Sequence, residues 1–214
     1  MNTTLKNKYD SIIFDLDGTL WDSTSNVAKA WQQAKEEVGY VKDDFTRETV
    51  RSITGMTYKA IFEKLLPYLT EEKREAFKAI AAKYELETLY TVGGELYPEL
   101  EDTLKHLSQN YKLYIVSNCQ SGYIEVFFKT SGLEHYFGGH QCYGTKNLPK
   151  AHNIRDIVKD HNLQAPVYVG DTMGDYNAAT EAGVPFIFAA YGFGEVEKDQ
   201  IATLTQFNEL KGLL

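Results

Sequence analysis

With 214 residues, the chain is about 1.4 times a typical domain of roughly 150, which leaves one domain with a large insertion and two small domains equally open. Apolar residues at 43% and charged residues at 24% exclude a disordered chain, a collagen-like chain and a supercharged nucleic-acid binder. With 22 Lys and Arg against 30 Asp and Glu, the net charge of −8 repels a polyanion at long range, so any anionic substrate must be held by a local positive site.

The first β-branched run, Ser11–Phe14, reads as a strand. From Ser23 to Thr91 the chain is charged, Ala-rich and helical in spacing. Val27, Ala30, Trp31, Ala34 and Val38 form one stripe, Ile61, Phe62, Leu65 and Leu66 a second, and Phe77, Ile80, Ala81 and Tyr84 a third, so three or four helices are expected. Thr91-Val92-Gly93-Gly94 ends this region, and Pro98 is expected to open the next helix at its first turn. Thereafter strands and helices alternate. Leu113–Ser117, Gln141–Tyr143, Val167–Gly170 and Pro185–Ala189 read as strands. Leu100, Leu104 and Leu107, then Ile124, Phe127 and Phe128, then Ile154, Ile157 and Val158 mark the faces of three helices.

This alternation predicts an α/β fold, a parallel sheet with helices on both faces. With no linker rich in Pro or Ser, the helical region is expected as an insertion: residues 1–21 and 93–214 form the core and residues 22–92 the inserted bundle. Two cysteines, Cys119 and Cys142, are too few for a disulfide framework and fit a reducing cytoplasm. No apolar stretch approaches the roughly 20 residues of a membrane span, and no heptad seam indicates an oligomer, so monomer and dimer stay open.

In an open parallel sheet, ligands bind beyond the carboxyl ends of the strands. There the chain carries Asp15-Leu16-Asp17-Gly18-Thr19, Ser117-Asn118, and Gly170-Asp171 followed by Asp175, with Lys146 and Lys150 in the loop after the third strand. Two carboxylates about 4 Å apart repel by roughly 4 kcal/mol at an effective dielectric near 20, so four of them at one edge require a counter-cation. Ligands that are all oxygen suit Mg²⁺ better than zinc.

These residues resemble the motifs of the haloacid dehalogenase superfamily of phosphohydrolases. Asp15-Leu16-Asp17-Gly18-Thr19 matches the first motif, Ser117 the second, a lysine the third, and Gly170-Asp171 with Asp175 the fourth, about 155 residues after the first. The helical insertion lies where members with a small helical cap carry it, as in the phosphoglycolate phosphatase and β-phosphoglucomutase branch. The resemblance implies a Rossmann-like core and a Mg²⁺-dependent phosphatase acting on a small phosphorylated metabolite, with neither nucleic acid nor membrane as partner. It implies Asp15 as nucleophile, forming an aspartyl phosphate, and Asp17 as general acid and base. Gly18, Thr19, Ser117 and Asn118 would contact the phosphoryl group. Asp15, the backbone carbonyl of Asp17, and Asp171 would ligate Mg²⁺, with Asp175 a further ligand or an orienting neighbour. Lys150, at the head of the helix beginning near His152, is preferred over Lys146 as the charge-neutralising lysine.

Asp17 argues against dehalogenation and phosphonate hydrolysis, since relatives with those chemistries carry another residue at that place. A β-phosphoglucomutase-type mutase and a non-catalytic phosphate sensor remain as alternatives. Cys119 lacks a neighbouring base and is expected as a small buried residue. His106, His135, His140, His152 and His161 lack ligand spacing. Trp21 and Trp31 are expected in the core, and Tyr191-Gly192-Phe193-Gly194 as a turn at the rim of the site. The Gly55 turn between Arg51 and Tyr58 is placed to project toward substrate.

Overall fold

A computed structural model describes residues 5–214. Six strands form a parallel sheet in the order β5-β4-β1-β6-β7-β8: β1 (Ser11–Phe14), β4 (Lys112–Ser117), β5 (Phe137–Cys142), β6 (Pro166–Gly170), β7 (Phe186–Ala189) and β8 (Ala202–Leu204). β1 lies at the centre, in register with β4 on one side (Ser11 beside Lys112) and β6 on the other (Ser11 beside Pro166). The sequence order therefore reverses across β1, and the segments after β1, β4 and β6 emerge side by side.

The strand residues alternate between two cores, as the period of two requires. Ile12 and Phe14 face the side that holds α5 (Leu100–Leu107), α6 (Tyr123–Ser131) and the short α10 (Leu210–Leu213). Ile13 faces the side that holds α8 (Lys150–Asp160) and α9 (Met173–Ala182), where it meets Ile154, Ile157 and Ala179. All four β1 residues are buried, which explains why Ile12, Ile13 and Phe14 run on as consecutive apolar residues and do not alternate with polar ones.

After β1 the chain passes through β2 (Trp21–Asp22) into four helices, α1 (Thr24–Val38), α2 (Arg47–Arg51), α3 (Tyr58–Leu65) and α4 (Glu71–Val92), and returns through β3 (Glu95–Leu96). β2 and β3 pair antiparallel, Asp22 opposite Glu95, so exit and re-entry form one two-stranded neck. Thr57 and Thr70 cap α3 and α4 by accepting the amides of Ala60 and Lys73. An aromatic cluster fills the bundle: Trp31 lies 5.0 Å from Phe62 and 5.6 Å from Phe45, and Phe62 lies 5.4 Å from Phe77.

Several elements differ from the sequence reading. β5 begins at Phe137, four residues before the expected start, because Gly138 and Gly139 mask its pattern, and Tyr143 opens the short helix α7 (Tyr143–Lys146) instead of ending the strand. Pro98 lies outside α5, whose N-cap is Glu99 at φ 57°, and α8 begins at Lys150, not near His152. β2, β3 and β8, of two or three residues each, carry too little pattern to be read from sequence. No helix among the described residues is long and apolar enough to cross a membrane.

Phe62 is 1% exposed at the centre of the aromatic cluster. Phe62→Ala is expected to cost about 3–5 kcal/mol, read from urea unfolding; a loss below about 1 kcal/mol would show that the bundle does not depend on this packing.

Candidate active site

Three carboxylates converge at the carboxyl edge of β1 and β6. Asp15, Asp171 and Asp175 are all buried, and each offers an oxygen within 4.8 Å of the others. One ammonium joins them: Lys150 Nζ donates to Asp15 Oδ1 at 2.8 Å and to Asp175 Oδ1 at 2.5 Å. Burial opposes the Lys150 charge, but the carboxylates of Asp15 and Asp175 outweigh it and hold its pKa well above the usual value. Lys146 lies elsewhere, paired with Asp156 at 2.6 Å on the surface, so of the two lysines it is Lys150 that contacts Asp15.

Local sequence explains how each acid is held. Asp175 is the third residue of α9 and completes a capping box with Thr172. Its Oδ2 accepts from the Thr172 amide at 3.0 Å and hydroxyl at 2.6 Å, which leaves Oδ1 for Lys150. Asp171 Oδ2 accepts from the Phe193 amide at 2.8 Å, while its Oδ1 is buried with no hydrogen-bond partner. An orphaned carboxylate oxygen beside two further acids is the chemistry a divalent cation satisfies, so the donor set fits Mg²⁺. Burial and then Asp175 push Asp15 above the usual carboxylate range, and Asp171 is raised by the same two causes.

Gly18 is required by its surroundings. It has φ +81°, and a Cβ there would stand 2.1 Å from Asp171 Oδ2. The Tyr191–Gly194 turn packs against the same acid, since a Cβ on Gly192 would stand 2.3 Å from the Asp171 Cβ. This turn therefore supports Asp171 from behind.

Asp17 lines a cavity of about 60 Å³ together with Asp15, Ser117 and Asn118. Trp21 Nε1 (2.9 Å), Ser23 Oγ (2.7 Å) and Tyr123 OH (2.9 Å) all donate to Asp17 Oδ1, and Oδ2 takes no hydrogen bond among the described residues. Burial pushes Asp17 up to about 6 despite these three donors. Gly18 and Thr19 do not line this cavity: Thr19 is buried, and its carbonyl accepts from Tyr191 OH at 2.9 Å.

The helical bundle supplies much of the cavity wall. Asn118 Nδ2 donates to the Gly55 carbonyl at 2.8 Å, and Arg51 donates to the Gly192 carbonyl at 2.9 Å. Thus the Gly55 turn reaches the cavity, whereas Arg51 clasps the core outside it. Cys119 also lines the cavity, only partly buried as a residue, with its thiol pushed well up by burial, which leaves no thiolate.

Ser23, Tyr123, Gln120 and Glu85 escape the sequence reading. Trp21 and Trp31 are core residues as expected, at 0% and 1% exposed, yet each also donates to a carboxylate at the site. Glu85 does leave a signal: it follows Phe77 and Ala81 and precedes Leu89 at intervals of four, an acid interrupting a buried stripe. It is buried and accepts from Trp31 Nε1 (2.6 Å), Tyr58 OH (3.0 Å) and Gln120 Nε2 (3.0 Å).

A family model described as haloacid dehalogenase-like hydrolase matches residues 12–189 of the chain. A phosphoglycolate phosphatase from Aliivibrio fischeri is 30% identical over 198 residues, 87% of this chain and 86% of its own. One from Aquifex aeolicus is 29% identical over 189 residues, 85% of each chain. A haloacid dehalogenase-like hydrolase from Streptococcus pneumoniae superposes with a TM-score of 0.83 at 25% identity, covering 96% of this chain and 98% of its own. The chain belongs to the haloacid dehalogenase-like hydrolases, and within them it is an enzyme of the phosphatase class.

Burial pushes Glu85 up to about 7. For a carboxyl raised on folding, the stability is fully present below the unfolded value near 4.3 and is lost as pH rises through about 7. The stability of Glu85→Gln relative to wild type, from urea unfolding at several pH values, is therefore expected to rise by about 2–3 kcal/mol between pH 4.5 and pH 8. A difference that does not vary with pH would contradict a buried, charge-bearing Glu85.

Proposed function

We propose that this chain is a Mg²⁺-dependent phosphatase that hydrolyses a small phosphorylated metabolite through an aspartyl phosphate on Asp15. The observation that carries this reading is the placement of Asp15 between Lys150, which it contacts at 2.8 Å, and a cavity that it shares with Asp17 and Ser117. In this reading residues 22–92 are the cap and residues 1–21 and 93–214 the core, and the closed cap shields the intermediate from bulk water. The compact cavity favours a small ester over a nucleotide.

In the first half-reaction an Asp15 carboxylate oxygen attacks phosphorus in line with the leaving alkoxide. Asp17, with Oδ1 fixed by three donors, gives the alkoxide a proton from Oδ2. In the second, Asp17 takes a proton from the water that attacks the aspartyl phosphate, which frees phosphate and restores Asp15. A carboxyl with a pKa of about 6 suits both duties near neutral pH. Ser117 donates to a phosphoryl oxygen, and Lys150 balances charge on Asp15 and on the phosphoryl group. Asn118, with its amide committed to Gly55, holds the cap turn and contacts the phosphoryl group through its backbone. Gly18 and Thr19 shape the turn after Asp15. Mg²⁺ held by Asp15, Asp171 and the Asp17 carbonyl, with Asp175 alongside, would neutralise phosphoryl charge.

Phosphate release from a panel of small phosphate monoesters tests the reading. Asp15→Asn is expected to abolish turnover, and Asp17→Asn to lower kcat by about 10²–10⁴-fold. Removal of divalent cations should abolish the wild-type rate and added Mg²⁺ should restore it. Undiminished turnover by Asp15→Asn would defeat the mechanism.

A further inference from the structure

Glu85 has a feature that a structural role leaves unexplained. It is 4% exposed, lines the same cavity as Asp15, and receives three hydrogen bonds from neutral donors. Among the described residues no Lys, Arg or His forms an ion pair with it, and none lines the cavity. Arg51, a cation of the helical bundle, does not line the cavity; it donates to the Gly192 carbonyl and lies over the Phe193 ring. A glutamine could accept from Trp31 and Tyr58 and so tie α1, α3 and α4 together without burying a charge. A buried carboxylate with no cationic partner, opening onto a substrate cavity, is completed by a cation that arrives with the substrate.

The walls agree with this. Trp31 and Tyr58 flank Glu85 on the cavity, and a carboxylate set among aromatic rings is the chemistry that recognises an ammonium group. Val27, Val50 and Ile61 supply apolar surface for a short carbon chain between the two ends. An anionic leaving group would instead meet Asp17 and Glu85 with no cation on the cavity wall.

We propose that Glu85, with Trp31 and Tyr58, selects the leaving group, and that the substrate is a small phosphate monoester of an amino alcohol whose ammonium rests against Glu85 while its phosphoryl group faces Asp15. This inference rests on the phosphatase reading. It commits to a cationic leaving group, where phosphoglycolate, the substrate named for the curated relatives, carries a carboxylate.

Three esters of similar size separate the possibilities: O-phosphoethanolamine, 2-hydroxyethyl phosphate and phosphoglycolate, assayed on the full chain with Mg²⁺. The wild type is expected to give a kcat/KM for the amine ester about tenfold or more above that for the hydroxyl ester, and further still above that for phosphoglycolate. In Glu85→Gln the ratio of amine to hydroxyl ester should collapse toward one, mainly through a raised KM for the amine. A structural role for Glu85 would scale all three esters alike. Preference for phosphoglycolate, or an unchanged ratio in the variant, would overturn the inference while leaving the phosphatase reading intact. Turnover of none of the esters would count against both. If the variant does not fold, the wild-type ranking alone decides.

Discussion

The structure turns on one electrostatic constraint: three buried carboxylates share a single ammonium. Asp15, Asp171 and Asp175 lie within reach of one ion, and among the described residues only Lys150 forms an ion pair with any of them. Three negative charges against one positive leave two uncompensated in a region where charge is costly to bury. Burial first, and then the neighbouring Asp175 carboxylate, raise the affinities of Asp15 and Asp171 for a proton. A divalent cation is the simplest species that would close the charge imbalance, and these acids could hold one beside Asp15.

Much of the fold serves to hold these charges in place. β1 at the centre of the sheet brings Asp15 between the ends of β4 and β6. The capping box at the start of α9 fixes one oxygen of Asp175 and leaves the other for Lys150, so an ordinary helix-start device also orients a site residue. Gly18 and Gly192 allow backbone to pass against Asp171 where any side chain would collide. The bundle adds a further buried acid, Glu85, so the protein keeps a second acidic region on the cavity that Asp15 lines.

The sheet and the strand-end acids are legible in the sequence because their signals are local. A short apolar run ending in Asp15-Leu16-Asp17-Gly18 or Gly170-Asp171 marks both a strand and the loop that leaves it. The preference for Lys150 over Lys146 rests on its position at a helix start, and the structure places it in contact with Asp15 and Asp175. Residues that meet only through tertiary packing are not legible. Ser23 and Tyr123 lie 100 positions apart, yet their hydroxyl oxygens stand 2.7 Å from each other and both reach Asp17 Oδ1. On α4 the periodicity suggests Phe77, Ile80, Ala81 and Tyr84, whereas the buried stripe is Phe77, Ala81, Glu85 and Leu89. A slightly different helix face is enough to hide the one acid that sequence patterning would assign to solvent.

Calorimetric titration of the wild type and of Asp171→Asn with Mg²⁺, at fixed ionic strength and without substrate, tests the charge imbalance most directly. Saturable binding of one Mg²⁺ by the wild type is expected, with loss of most of that affinity in Asp171→Asn. Equal binding by both proteins, or none by the wild type, would contradict the charge imbalance.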